Sequence, residues 1–342
     1  QAEDGIRDKQ ICLVGSEMCI RDSTGVEYYC TIFAAAESPI TEGLMWVGSD
    51  DGLVHLTRNG GESWENITPK NMPEWSMINS IEPSAFDAGT CYVAATRYKL
   101  GDFKPYLYKT TDYGKTWQLI TNGINNEHFT RVIREDPKRK GMLFAGTETG
   151  MYISFNDGQS WKAFQLNLPI VPITDLAIKD NNLVVATQGR CLWIIDDLTV
   201  LHQQDVTNNS KTAILYGPKD SYRTKGRART TPSKTSGQNH PSGVVTHFYL
   251  KDMGDEDKVA LTYTTMTGDT LATYSTGAKK REEKLKVKAG GNTHNWNTRA
   301  EGAERLKGMI FWAASFNGPK AVPGQYQVHL NVNGENPTTS CR

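Results

Sequence analysis

The 342-residue sequence predicts an all-β chain, and three observations carry that expectation. An octet of the form Ser/Thr, any, Asp/Asn, any, Gly, any, Ser/Thr, Trp recurs at 57–64, 110–117 and 154–161. Strand–turn–strand patterns surround the copies at a spacing of roughly 40–45 residues, the length of a four-stranded propeller blade. Beyond a span rich in Gly, Pro, Ser and Thr, short alternating runs resume and continue almost to the end, as in a two-sheet sandwich. The expected architecture is a β-propeller sector of about four blades over 24–205, then a linker or long loop over 206–243. An immunoglobulin- or fibronectin-like β-sandwich is expected over 244–335.

Each octet has the composition of a stapled turn. The side chains of Asn59, Asp112 and Asn156 can accept hydrogen bonds from backbone N–H groups a few residues on. Gly61, Gly114 and Gly158 supply the positive φ that other residues resist. A hydroxyl at 63, 116 or 160 ties the turn back, and Trp64, Trp117 and Trp161 give it a large apolar anchor. These roles are structural rather than catalytic. The octets resemble the Asp-box, or BNR repeat, of sialidases, sortilin-type receptors and several polysaccharide hydrolases. Box one departs from the pattern in having Asn59 where Asp is usual. The resemblance implies that each box lies on the outer rim of a propeller blade, between its third and fourth strands.

Four similar units stack on this frame: 46–57, 92–111, 144–154 and 184–195. Their first strands are expected at 31–36, 77–83, 130–136 and 173–179. The fourth unit replaces the box with "DDLTVLH" (196–202), as a closing or terminal blade does. A complete four-bladed ring and the last sector of a larger ring both fit. In the second case one or two apolar blade faces would be left exposed, and the remaining blades of a longer chain would be partners.

Residues 1–23 contain Ile-Arg-Asp twice, lack strand or helix patterning, and resemble translated sequencing-adapter read-through, so they are expected to be a non-native leader. They lack the basic start and apolar run of a signal peptide. No apolar run approaches the ~20 residues of a membrane span. The 38 basic and 38 acidic residues cancel, which argues against a nucleic-acid partner. Cys30, Cys91 and Cys191 fall in strand-like runs and are expected to be small buried hydrophobes. There is no metal-type His/Cys spacing, so no metal and no cofactor are expected. In the C-terminal part, strands are expected at 244–250, 259–265, 270–276, 283–289, 292–298 and 324–334.

If the boxes occupy one rim, the turns between second and third strands and the links between blades occupy the other. That face then holds Asp50, Asp51, Glu148, Gln188, Arg190 and the insertion from Arg97 to Tyr106. The links contain Glu74 and Glu127, and their matching positions bring Trp75, His128 and Pro172 toward the channel mouth. Long loops bearing aromatic and charged residues on a rigid scaffold are good places for binding. Trp75, Tyr98 and Phe103 are candidate stacking platforms, with packing between blades as the competing role. Asp50, Asp51, Glu74 and Glu127 are candidates for the paired carboxylates of a glycosidase, which work roughly 5–10 Å apart. His128 is a candidate ligand contact or a packed ring. No G-x-S-x-G, H-E-x-x-H or P-loop pattern occurs.

Residues 24–335 are similar to the C-terminal part of bacterial BNR-repeat or sortilin-like glycosyl hydrolases, through "MWVGSDDGLVHLTRNGGESW", "LFAGTETGMYISFNDGQSW" and "VVATQGRCLWIIDDLTVL". The resemblance implies a secreted, periplasmic or cell-surface location and a carbohydrate polymer as ligand. Arg97, Arg131 and Arg190 lie in contexts unlike the sialidase arginine triad, so that activity is not implied. Two functions stay open: a polysaccharide-processing hydrolase, or a sortilin-like propeller that captures a peptide or protein.

Overall fold

Three four-stranded antiparallel sheets follow one another along the chain, each with its strands in sequence order. The first contains β1 (Ile32–Glu37), β2 (Met45–Ser49), β3 (Val54–Thr57) and β4 (Glu65–Asn66). The second contains β5 (Met77–Pro83), β6 (Cys91–Arg97), β7 (Asp102–Thr110) and β8 (Gln118–Leu119). The third contains β9 (Thr130–Glu135), β10 (Leu143–Thr147), β11 (Gly150–Ser154) and β12 (Lys162–Ala163). A fourth sheet has three strands, β13 (Ile173–Lys179), β14 (Asn182–Thr187) and β15 (Leu192–Ile195). These details come from a computed structural model that describes residues 30–204, 212–222, 241–254, 256–303, 308, 315–334 and 337–341. The expected leader at 1–23 lies outside the described residues.

Alternation along the central strands explains how the sheets stack. In a strand, successive side chains point to opposite faces. Val93, Ala95 and Tyr108 of the second sheet pack with Trp46, Val54, Leu56 and Ile67 of the first. Tyr92, Ala94 and Leu107, in the other register, pack with Ile133, Leu143, Ala145 and Trp161 of the third. Six of the seven residues of β6 are therefore buried, which only a sheet covered on both faces produces. This face-to-face succession of small meanders is that of β-propeller blades.

The boxes form one repeated hydrogen-bond circuit. Thr57 Oγ1 donates to Asn59 Oδ1 at 2.8 Å and accepts from Gly61 N at 3.0 Å, while Ser63 N donates to Asn59 Oδ1 at 3.0 Å. Thr110, Asp112, Gly114 and Thr116 repeat it at 2.8, 2.9 and 2.9 Å. Ser154, Asn156, Gly158 and Ser160 repeat it again at 3.0, 3.0 and 2.9 Å. Each turn is also tied to the turn between the first two strands of its own sheet, through Gly60 N to Gly43 O, Tyr113 N to Gly89 O and Asp157 N to Gly141 O.

The tryptophans reach sideways. Trp117 Nε1 donates to Ile67 O at 2.7 Å, and Trp161 Nε1 donates to Ile120 O at 2.6 Å, so each indole staples its blade to the preceding one. Gly114 and Gly158 sit at φ +81 and +80, and a Cβ there would meet Ile67 and Ile120 side chains at 2.6 Å. Glycine is thus required twice over, by backbone and by packing.

An arginine clamps the inner strands. From β9, Arg134 Nη1 donates to Ser80 Oγ of β5 at 2.7 Å, Nη2 pairs with Asp175 of β13 at 2.7 Å, and Nε donates to Leu176 O at 2.9 Å. Glu82 of β5 lies 3.6 Å from the same guanidinium. Burial pushes the Glu82 carboxyl from 4.5 to about 7, against the opposing pull of Arg134 and with Glu135 and Asp175 adding to the rise.

The chain divides into two compact units, with Asp180–Asn182 and the residues from Ile195 onward grouped in the second. In place of a fourth box, the second unit starts with a short helix, α1 (Thr199–Gln203). It continues as seven strands in two sheets, ordered β16-β17-β20 and β19-β18-β21-β22. These are β16 (Ala213–Leu215), β17 (Val244–Leu250), β18 (Val259–Thr265), β19 (Thr270–Ser275), β20 (Gly290–Trp296), β21 (Tyr326–Val332) and β22 (Thr338–Cys341). Both sheets contribute to one core, in which Trp296 stacks on Tyr263 with centroids 4.5 Å apart. The sandwich is as expected, with differences in detail. The span 206–243 contains a strand, β16, whose Ala213 pairs with Leu250. The strand expected at 283–289 is absent: Arg281–Glu283 forms a 3-10 turn, and only a single bridge, Ser275 to Lys284, continues the sheet. Its alternation is set by lysines, which line solvent as readily in a loop. Cys91 is buried as expected, but Cys30 and Cys191 are exposed, each at positive φ outside a strand.

Two stability measurements check these assignments. Asp112→Ala removes the acceptor at the centre of its circuit and should cost roughly 1–2 kcal/mol in denaturant unfolding. The folded state holds the Glu82 proton more tightly than the unfolded chain does. That contribution to stability is complete below about 4.5 and is lost as pH rises through about 7. Glu82→Gln should therefore raise the melting temperature at pH 8 relative to the parent and change it little at pH 4.

Candidate functional site

The turns opposite the boxes are stitched to the links that precede each first strand. Asp50 N donates to Thr31 O, Glu148 N to Phe129 O and Gln188 N to Pro172 O, at 3.1, 3.1 and 2.9 Å. The same pairing in three blades puts these turns and links on one face, as the strand count requires.

In the second blade the insertion remodels this face. Instead of a free loop from Arg97 to Tyr106, the chain makes a 3-10 turn over Tyr98–Leu100, passes Gly101 in the left-handed region and starts β7 at Asp102. Arg97 Nη1 pairs with Asp102 at 3.0 Å, and Tyr106 Oη donates to the same carboxylate at 2.7 Å. These bonds hold the Asp102 carboxyl below its usual range despite its partial burial. The hairpin tip is thereby rigid, with Leu100 and Phe103 exposed.

Beside the tip lies a cavity of about 230 Å³, lined by Asp50, Trp75, Met77, Thr96, Arg97, Tyr98, Lys99 and Leu100. Asp50 comes from the first blade, and its Oδ1 accepts from Thr31 N at 2.8 Å. Trp75 comes from the link into β5. Its backbone sits at φ 63, which is uncommon for a bulky side chain. Ser76 Oγ closes the turn by donating to Pro73 O at 2.6 Å. The indole is 51% exposed, so the turn displays a large apolar ring at the mouth rather than burying it. Strain at a displayed side chain is a frequent mark of a functional position.

Tyr98 divides its surface between the cavity and an aromatic cluster. Its ring stacks on Phe129 with centroids 5.2 Å apart, Phe103 tilts against Phe129 at 6.1 Å, and the Arg131 guanidinium lies 5.3 Å from the Phe129 centroid. Arg131 is fixed in turn by Glu148 at 2.6 Å. The stacking and packing roles weighed for Tyr98 therefore coexist.

Among the sequence-predicted residues, Asp50, Trp75 and Tyr98 meet at the cavity, whereas Asp51, Glu74 and His128 do not line it. Asp51 accepts from Ser49 Oγ within its own turn. Glu74 is exposed next to Trp75. The His128 Nδ1 is 2.8 Å from Tyr152 Oη, in the link to the third blade. Glu127 is exposed, with its N–H bonded to Asn125. Sequence reading did not single out Thr96 or Met77, because both sit inside strands and reach the cavity only through the pairing of β5 with β6. Among the described residues, no group of His, Cys, Asp and Glu is placed to hold a metal ion. No helix among them is long and apolar enough to cross a membrane.

No family model matches the chain. Over 111 residues it is 29% identical to the oligoxyloglucan-reducing end-specific xyloglucanase of Emericella nidulans, a match that covers 31% of this chain and 13% of that enzyme. Among solved structures, the GH74 xyloglucanase from Xanthomonas campestris aligns with a TM-score of 0.40 at 14% identity, over 90% of this chain and 44% of that one. YCF48 from Cyanidioschyzon merolae aligns with a TM-score of 0.37 at 18% identity, over 50% of this chain and 54% of that one.

The backbone at Trp75 yields a direct check. If the indole is displayed at the expense of a left-handed backbone, Trp75→Gly should be more stable than Trp75→Ala by about 1 kcal/mol. Thermal or denaturant unfolding of the two variants measures the difference.

Proposed function

We propose that this chain is part of an exported β-propeller that binds polysaccharide on the face opposite its Asp-box turns. The cavity carries this reading. Sugar recognition needs an apolar platform beside hydrogen-bonding groups, and here an exposed indole stands beside Asp50, Thr96 and Arg97. The partial similarity to an enzyme acting on oligoxyloglucan supports the same ligand class. Asp50 alone of the candidate carboxylates lines the cavity, while glycoside hydrolysis uses two. Binding is therefore what this sector supports by itself, and turnover requires a second carboxylate from further blades.

The first blade supports the existence of such blades. Trp64 is 44% exposed, against 4% for its equivalent Trp161. A Cβ on Gly61 would meet only Trp64, at 3.9 Å, where the equivalents meet an isoleucine of the preceding blade. Ile32 and Phe33 of β1 are exposed as well. A blade that ends its fourth strand in the register of Ile67 and Ile120 fits these groups.

Calorimetric titration of the chain with xyloglucan oligosaccharides tests the proposal. Trp75→Ala and Tyr98→Ala should each weaken binding by about 3- to 10-fold. Trp161→Ala, on the box rim, should instead cost roughly 3–5 kcal/mol of stability. Unchanged affinity in both face variants removes the site. Binding of peptides with no response to sugars moves the function to sortilin-like capture of a peptide or protein.

A further inference from the structure

The last residue of the second strand carries a hydroxyl in three blades, Ser49, Thr147 and Thr187, whereas in the second blade the equivalent residue is Ala95 and the hydroxyl of Thr96 comes one residue later. In each of those three blades the hydroxyl is used by its own hairpin. Ser49 Oγ donates to Asp51 and accepts from Leu53 N at 3.1 Å. Thr147 Oγ1 donates to Gly150 O at 2.9 Å, and Thr187 Oγ1 to Cys191 O at 2.6 Å. In the second blade β6 runs on through Thr96 and Arg97 into the insertion, and no hairpin carbonyl accepts from Thr96. Its Oγ1 is buried and makes no hydrogen bond to any other group among the described residues, and the adjacent Arg97 Nε is in the same condition. Thr96 is 1% exposed, and both residues line the cavity beneath Trp75.

A buried polar atom without a partner is costly and uncommon in native folds. Two of them, adjacent and lining one cavity, indicate groups kept for a ligand. We infer that Thr96 Oγ1 and Arg97 Nε hold a hydroxyl of one neutral sugar ring seated against Trp75. This inference rests on the polysaccharide reading above. Neutrality follows from the charges at and beside the cavity: Arg97 and Lys99 balance Asp50 and Asp102. A single ring follows from the volume of about 230 Å³, below the roughly 300–1,000 Å³ of pockets that enclose a larger ligand. Arg97 Nε donates to the ring hydroxyl, which leaves its own proton for Thr96 Oγ1. The insertion contributes Arg97, Tyr98, Lys99 and Leu100 to the wall of the cavity that Thr96 also lines.

Thr96→Val keeps the shape and deletes the hydroxyl, and Thr147→Val makes the same change where the hydroxyl is already bonded. Titration with xyloglucan oligosaccharides and thermal unfolding are measured on the full chain for the parent, both variants and Thr96→Ser. Thr96→Val should weaken binding by about tenfold with a melting temperature equal to or above that of the parent, because an unpaired polar atom has left the interior. Thr96→Ser should retain the binding. Thr147→Val should lower the melting temperature and leave affinity unchanged. The inference is overturned if Thr96→Val binds as the parent does, or if it loses stability as Thr147→Val does. It is overturned equally if oligogalacturonate binds more tightly than the neutral oligosaccharides. In each of those cases sugar binding by the parent survives, whereas a parent that binds no sugar ends the polysaccharide reading and this inference together.

Discussion

Donation by the indole N–H of the second and third boxes to a carbonyl on the preceding blade is the interaction on which the stacking of these blades depends. Sheets of four short strands cannot bury both faces alone, and β6, apolar on both, would be untenable outside the stack. The bonds from Trp117 to Ile67 and from Trp161 to Ile120 fix the spacing between blades while the indoles fill the gap. They require the Trp to leave the turn at one angle, which the Asp/Asn–hydroxyl circuit imposes. They also require glycine where the neighbouring isoleucine presses. The octet is conserved within this chain because each of its positions meets one of these demands.

Once the boxes hold one rim, everything with chemical variety is displaced to the other. The box turns are three copies of one structure, whereas the opposite turns differ in length and charge. The second of them departs most, with a rigid tip held by Arg97, Asp102 and Tyr106. At the inner strands, Arg134 joins three successive blades, so the links that carry Trp75 and His128 enter a scaffold clamped from both sides. A side chain displayed there keeps its place because two independent networks hold the backbone beneath it.

Much of this was legible in the sequence, for definite reasons. The octets mark the turns, and alternation placed β5, β13, β17 and β18 at the boundaries observed. The lysine-containing run at 283–289 misled because alternating charge and apolarity also suits a loop that turns Leu285 into the core and its lysines to solvent. Ala213–Leu215 was hidden because three residues between polar spans carry no period. At the candidate site, Asp50, Trp75 and Tyr98 could be named from turn order alone. Thr96 could not, since its distinction is a missing partner, and that emerges only once the strands are paired in space. Arg134 was equally hidden, because its partners lie on strands 41 to 54 residues away.

Hydrogen exchange on the chain with and without xyloglucan oligosaccharides tests the central claim, that ligand meets the face opposite the boxes, most directly. The predicted result is slowed exchange confined to the amides around Asp50, Trp75–Met77 and Thr96–Leu100, with the box turns at 57–64, 110–117 and 154–161 unchanged. Slowed exchange at the box turns, or only in the sandwich, would contradict the account.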